Sequence, residues 1–305
     1  MSGTDIIDSG TTHAGMRGRG GAPDPHAPRR MRFNRERLTL WLCAIPMGIL
    51  ALSTILPLLF AGSIGLKTKR DFVLNRFALP DHITFANFGE AWNRAHLADY
   101  FMTSVVVTAG AVFLLLLVSS LAGYGLAMLR FRGRRLMFYV ILASMMIPIQ
   151  VILVPFYQLM ITLNLVNTRI GLILSYTAFF TPFSVYLMTA YYATIPRELA
   201  EAATIDGANL LQIWRHVMLP LGRPALLTLG ILNTLYCWND VLIALLVLQD
   251  QRTIMVGIGA LRGEFNTNIP LLAAGIVLAA LPVLAIFLVF QRQIVNGVTV
   301  GAVKG

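Results

Sequence analysis

The chain has 305 residues, 57% of them hydrophobic and 12% charged, whereas about a quarter of the residues of soluble domains are charged. That balance excludes an ordinary water-soluble domain and places the chain in a membrane. The formal net charge of +10 does not signal nucleic acid, because the basic residues gather at the edges of apolar segments, where topology and anionic lipid draw them.

In chain order, residues 1–38 read as a disordered, basic cytoplasmic tail, since 1–30 are rich in Gly, Pro and Arg and nearly devoid of large apolar side chains. Six apolar segments follow, at 39–62, 103–129, 136–163, 170–193, 224–247 and 270–290. Each exceeds the roughly 20 residues that cross a hydrocarbon core, and only the fifth holds a charged residue, Asp240. The first is too long for a signal-peptide core and no small-residue cleavage site follows it, so it is expected to stay as a span. The expected fold is all-α, a polytopic membrane protein with six transmembrane helices in residues 39–305. Pro148 and Pro155 in the third segment, Pro182 in the fourth and Pro282 in the sixth are expected to bend their helices, each removing a backbone hydrogen bond.

Loop charges set the orientation. With the N-terminus inside, the inner side holds Arg17, Arg19, Arg29, Arg30, Arg32, Arg35, Arg37, Arg130, Arg132, Arg134, Arg135, Arg197, Arg215, Arg223, Arg292 and Lys304, which is 16 of the 24 Lys and Arg. The turn Arg130–Arg135, with four arginines and no acid, is the strongest local signal. Both termini are therefore expected in the cytoplasm.

Catalytic and metal chemistry find no support. Cys43 and Cys237 sit inside apolar segments and are expected to pack as small apolar residues. The five histidines lack metal-ligand spacing, and no Gly-Lys dipeptide exists from which a phosphate-binding P-loop could be built. No cofactor is expected in this chain, and if ATP drives the protein, ATP and Mg bind on another subunit.

The inner loop 194–223 is the most informative stretch. Pro196 can open a helix, because its missing N–H is unpaired there anyway. Leu199, Ala202 and Ala203 then fall on one face at helical spacing, and Glu198 and Glu201 on another. The paired alanines let a partner backbone approach closely. Asp206-Gly207 offers a turn, and Pro220 with Pro224 marks the start of the next span. Bottom-up, this is a short helix presented to a cytoplasmic protein.

The pattern Glu201-Ala202-Ala203, three residues, Gly207, nine residues, Val217, one residue, Leu219-Pro220 resembles the EAA motif of the membrane subunits of bacterial ABC importers, with Val217 where that family usually has Ile. The stretches Phe131-Arg132-Gly133, Pro148-Ile149-Gln150, Ile195-Pro196-Arg197-Glu198-Leu199, Ile205-Asp206-Gly207-Ala208, Trp238-Asn239-Asp240 and the ending Gly301-Ala302-Val303-Lys304-Gly305 look like the permeases of carbohydrate-uptake importers, in particular the shorter partner of the maltose-type and glycerol-phosphate-type pairs. The resemblance implies the type I importer permease fold in a bacterial inner membrane. It implies a second, different permease subunit, two ABC ATPase subunits and an extracytoplasmic solute-binding protein, besides membrane lipid. Glu201, Ala202, Ala203, Asp206, Gly207, Leu219 and Pro220 would then couple to the ATPase, and a tail with Gly301, Lys304 and Gly305 would reach between the ATPase subunits. The outer loops 249–269 and 63–100 would meet the binding protein.

Trp238-Asn239-Asp240 admits two readings. An indole face can stack on the C–H face of a sugar while Asn and Asp share its hydroxyls. Alternatively, the polar pair closes a helix–helix hydrogen bond, since a carboxylate at membrane depth is costly unless paired or near water. Asp240 lies roughly 24 Å along a helix begun at Pro224, nearer the outer face. Two further function classes stand beside the sugar importer. A permease for a polyamine or an organophosphate would share the inner-loop motif, whereas a secondary transporter would usually carry ionisable residues in several spans, and here only Asp240 qualifies.

The charge asymmetry predicts that a lone cysteine at Arg132 reacts only with membrane-permeant thiol reagents in intact cells, and one at Asn266 also with impermeant reagents. The reverse labelling pattern would invert the topology.

Overall fold

The computed structural model describes the backbone of residues 35–93, 96–264 and 268–302, and side chains within 41–93, 96–261 and 268–291. The expected tail 1–38 lies outside the described residues up to position 34, as do Asn266, Lys304 and Gly305. All regular secondary structure among the described residues is helical. In order the chain forms α1 (Arg35–Gly65), α2 (Lys69–Leu74), α3 (Ala86–Asn93), α4 (Leu97–Met128), α5 (Arg134–Ser144), α6 (Ile149–Thr162), α7 (Arg169–Tyr192), α8 (Glu198–Ile205) and α9 (Leu210–Ile213). A π-helical turn (Trp214–Met218) follows, then α10 (Leu219–Leu221), α11 (Arg223–Asn239), α12 (Leu242–Val247), α13 (Ile254–Glu264) and α14 (Ile269–Ala302).

Two compact units divide the chain at Ser53, inside α1. In the first, the described side chains from Trp41 onward are exposed although mostly apolar, as suits a surface bathed in lipid tails. The second unit, from Thr54, holds everything else.

Four described helices are long and apolar enough to cross a membrane, and two bent pairs bring the number to six if each is one span. The expected third span is not one straight helix. α5 and α6 meet at 101°: a proline disfavours the α region at the residue before it, and Pro148 itself takes an extended ψ of 132° ahead of α6. Pro155, Pro182 and Pro282 all stay inside helices. The expected fifth span also departs from the pattern: α11 stops at Asn239, Asp240 is extended (φ −69°, ψ 134°), and α12 starts two residues later.

The core of the second unit is the α4–α7 pair. Lipid tails are as apolar as leucine, so membrane helices hold together by close packing of small residues and by hydrogen bonds. A Cβ on Gly123 would sit 2.7 Å from Cβ of Met188, and one on Gly110 would sit 2.8 Å from Cδ1 of Ile173. Ser104, Ser119, Ser120, Ser175 and Ser184 are buried along the same pair. α11 joins it through Asn233, whose Nδ2 donates to Oγ of Ser184 at 3.0 Å.

The described part of the long connection 63–100 is tied together by hydrogen bonds. Asn87 Nδ2 donates to the carbonyls of Gly65 (2.8 Å) and Lys67 (2.7 Å), and Lys67 Nζ donates to Asn75 O at 2.7 Å. Asn167, at φ +57°, donates its backbone N–H to Val247 O and accepts Gln249 N at Oδ1, tying α6–α7 to the end of α12.

Gly123→Leu should overpack the α4–α7 seam at a cost of about 1–3 kcal/mol and lower Tm in detergent. Gly125→Ala, whose new Cβ meets nothing within 4 Å, should not lower Tm, since alanine suits a helix interior better than glycine. Equal Tm values for both variants would refute the close-packed seam.

Candidate functional site

The loop 194–223 is built from α8 outward. Glu198 and Glu201 occupy the first turn of α8, where the unpaired N–H groups of the helix start favour carboxylates. Its end is a Schellman turn: Gly207 N–H donates to Thr204 O and Ala208 N–H to Ala203 O, each at 3.0 Å, with Gly207 at φ +83°. This accounts for a glycine four residues after Ala203. A Cβ there would meet no neighbour, so the demand is on backbone conformation alone. Asn209 then opens α9 with a capping box to Gln212, its Oδ1 accepting Gln212 N at 2.9 Å.

Ala202 and Ala203, expected on one face, part company. Ala203 packs with Ala200, Ala208, Trp214 and Val217 against a buried cluster that includes Tyr192, Ile213 and Met218, whereas Ala202 is exposed. Successive helical residues turn by about 100°, and the chain's own cluster takes the side holding Ala200 and Ala203. The outward face is instead Leu199, Ala202 and Ile205, extended by Leu210 and Leu211 of α9, with Ile205 86% exposed and Leu211 63%. Ile205, Leu210 and Leu211 were missed; the i, i+3 series from Leu199 through Ala202 leads to Ile205.

The loop is anchored into the bundle. Trp214 Nε1 donates to Ser120 Oγ at 3.0 Å, and Ser120 Oγ pairs with the Tyr192 hydroxyl at 2.8 Å, so one buried chain joins the π turn to α4 and α7. A Cβ on Gly222 would lie 2.8 Å from Tyr192 Cε1. At this point α9–α10 and α11 meet at 76°. Leu219 is half-buried and Pro220 exposed; Pro220 sits in the first turn of α10 and Pro224 in that of α11.

Trp238, Asn239 and Asp240 diverge in space. The Trp238 side chain is 4% exposed, lies edge-on to Phe101 at 5.6 Å and donates Nε1–H to Ala279 O at 3.2 Å. Asn239 is exposed and donates Nδ2–H to Leu235 O. Asp240 accepts the Tyr176 hydroxyl at 3.1 Å and Ala244 N–H at 2.9 Å on Oδ2, capping α12 and linking it to α7. Phe180, Leu235, Tyr236, Asn239 and Asp240 line a cavity of about 440 Å³, with the Phe180 and Tyr236 rings stacked at 5.6 Å. A broken helix at membrane depth is tolerated where it is buried in protein or lines such a cavity. Gly301 falls in the last turn of α14.

Residues 116–300 match the model of the binding-protein-dependent transport system inner membrane component family. The chain belongs to that family. Its relatives include the diacetylchitobiose uptake system permease protein NgcG of Streptomyces coelicolor, 35% identical over 82% of this chain and 84% of that protein. The melibiose/raffinose/stachyose import permease protein MelC of Bacillus subtilis is also 35% identical, over 90% of this chain and 100% of its own length. A solved bacterial ABC transporter involved in the import of the acidic polysaccharide alginate shares the fold, with a TM-score of 0.74 and 26% identity over 85% of this chain and 97% of that one. The chain is thus a permease, a transport component of the inner membrane from a family that works with ATPases and binding proteins.

Gly207→Val forces a β-branched residue into left-handed backbone, costing about 1–2 kcal/mol, so amide exchange at Gly207 and Ala208 should accelerate about tenfold. Gly207→Asn should exchange close to the wild-type rate. Wild-type exchange in the Val variant would remove the case for a conformational role of Gly207.

Proposed function

We propose that this permease forms half of the translocation path of an ATP-driven importer for a sugar or sugar derivative, paired with a second, different permease and served by two ATPase subunits and an extracytoplasmic solute-binding protein. The observation that carries the reading is the outward face of α8–α9, apolar at Leu199, Ala202, Ile205, Leu210 and Leu211 and acidic at Glu198 and Glu201. It is held rigid by the Schellman turn and wired to α4 and α7 through Trp214, Ser120 and Tyr192. Closure of the ATPases on ATP and Mg moves this face, the attached helices change from inward-facing to outward-facing, and hydrolysis resets them. The sugar class is supported by the relatives named for diacetylchitobiose and for melibiose, raffinose and stachyose.

The solute path is assigned to the cavity at the α11–α12 break. Tyr236 offers a ring to a sugar C–H face, Asn239 an amide to its hydroxyls, and Asp240 keeps the break in shape through Tyr176 and the α12 amides. Trp238 is a positioning residue that braces the break from behind. The ending with Gly301, Lys304 and Gly305 is assigned to the seam between the ATPase subunits, with both termini in the cytoplasm.

The test is reconstitution of the permease pair with its ATPase and loaded binding protein. Glu201→Lys should leave the permease in the membrane yet reduce ATPase retention or solute-stimulated hydrolysis about tenfold, equivalent to about 1.4 kcal/mol of docking. Tyr236→Ala should retain the ATPase fully and lose solute uptake. Wild-type retention and stimulation in the first variant would refute the coupling assignment, and wild-type uptake in the second the path.

A further inference from the structure

The turn between α4 and α5 is a second built feature, outside the α8–α9 face. Arg130, Arg132, Arg134 and Arg135, with Phe131, line an open cavity of about 610 Å³, and Arg197, the residue just before α8, lines it as well. None of its lining residues is acidic; Glu198, the nearest acid in sequence, belongs to the first turn of α8.

The shape of the turn is imposed. Gly133 stands at φ +87° as the N-cap of α5, with no side chain to cap the helix. Arg134 Nη1 donates to Leu129 O at 3.2 Å and ties the turn to the end of α4. Five guanidinium groups gathered round one cavity repel one another unless an anion sits among them. The uncapped first turn of the 11-residue helix α5 adds its own amides and partial positive charge. Guanidinium is the side chain suited to phosphate oxygens, through paired N–H donors.

The chemistry called for is a phosphate anion, and what adjoins the cavity decides its source. α5 leaves it with an exposed apolar surface of Leu136, Met137, Tyr139 and Val140. A free phosphate has no use for that surface, whereas acyl chains do. We infer that the Arg130–Arg135 turn and Arg197 form a binding site for the headgroup of an anionic phospholipid, with its acyl chains along α5. Because Arg197 directly precedes α8, a lipid held here ties the start of the coupling helix to the plane of the membrane.

The site is tested on the full chain in detergent micelles of neutral headgroup, with added phosphatidylglycerol, phosphatidylcholine of the same acyl composition, or inorganic phosphate. Native mass spectrometry reads bound lipid and thermal unfolding reads stabilisation. Phosphatidylglycerol should be retained about tenfold better than phosphatidylcholine and should raise Tm, with inorganic phosphate doing neither. The double variant Arg132→Gln, Arg135→Gln should lose that preference, and Arg252→Gln in an outer loop should keep it. Equal retention of the two lipids by the unmodified chain overturns the proposal, whether or not the double variant folds. Stabilisation by inorganic phosphate as large as by phosphatidylglycerol makes this a soluble-anion site and overturns the lipid assignment. A double variant that keeps the lipid preference but loses a co-expressed ATPase hands the arginines to the protein partner, with the same consequence.

Discussion

One hydroxyl connects the part of this permease that would receive force to the part that would move. Ser120 on α4 accepts the indole N–H of Trp214 and pairs with the hydroxyl of Tyr192 at the end of α7. Each bond contributes only about 1 kcal/mol net, so the chain is not a large source of stability. Its value is positional. Two of its three members belong to the tightest helix pair in the bundle, where Gly123 admits Met188 at backbone range. A displacement of the π turn therefore reaches α4 and α7 together. A π turn is a costly departure from α-helix and recurs at functional sites; here it aims Trp214 at Ser120.

Around that connection, the bilayer decides which irregularities can exist. Every backbone polar group at membrane depth needs a partner inside the protein. The two breaks meet the demand differently. At Asp240 the carboxylate substitutes for the missing helix, accepting the amides of α12 and the Tyr176 hydroxyl. At residues 145–147 the amides fall back on carbonyls three residues earlier, Met145 on Leu142, Met146 on Ala143 and Ile147 on Ser144, before Pro148 redirects the chain. The acidic residue that stands out in an apolar segment is thus required by the backbone geometry before any solute is considered. That argues for Asn239 and Tyr236, rather than the carboxylate, as the groups free to meet a sugar.

The spans were legible because length and apolarity are summed over some twenty residues and survive local error. The turn that ends α8 was legible because its glycine answers to backbone geometry: Gly207 does take positive φ, as a short helix ending there requires. What failed to show was whatever depends on neighbours distant in sequence. Pro148 and Pro155 look alike in the sequence, yet only Pro148 ends a helix, since Pro155 sits where α6 continues on both sides. Ala203 could not be told from Ala202 before the cluster around Tyr192 and Trp214 was known. For Trp238 the sequence left a stacking role and a packing role both open, because its burial depends on Phe101 and Ala279, more than a hundred residues before it and some forty after.

The placement of bends against rigid seams gives the arrangement its mechanical character. The α4–α7 seam, close-packed at Gly110 and Gly123, resists sliding because interdigitated small residues leave no slack. The sharp changes of direction lie at Gly222, where the inner loop enters α11, and before Pro148, where α5 enters α6. Gly222 leaves no room for a side chain beside Tyr192, so the corner between loop and α11 is packed on the residue that Ser120 holds. On the proposed function, a push on α8 would be delivered to α4, α7 and α11 together, as rigid-body alternating access asks of a coupling element.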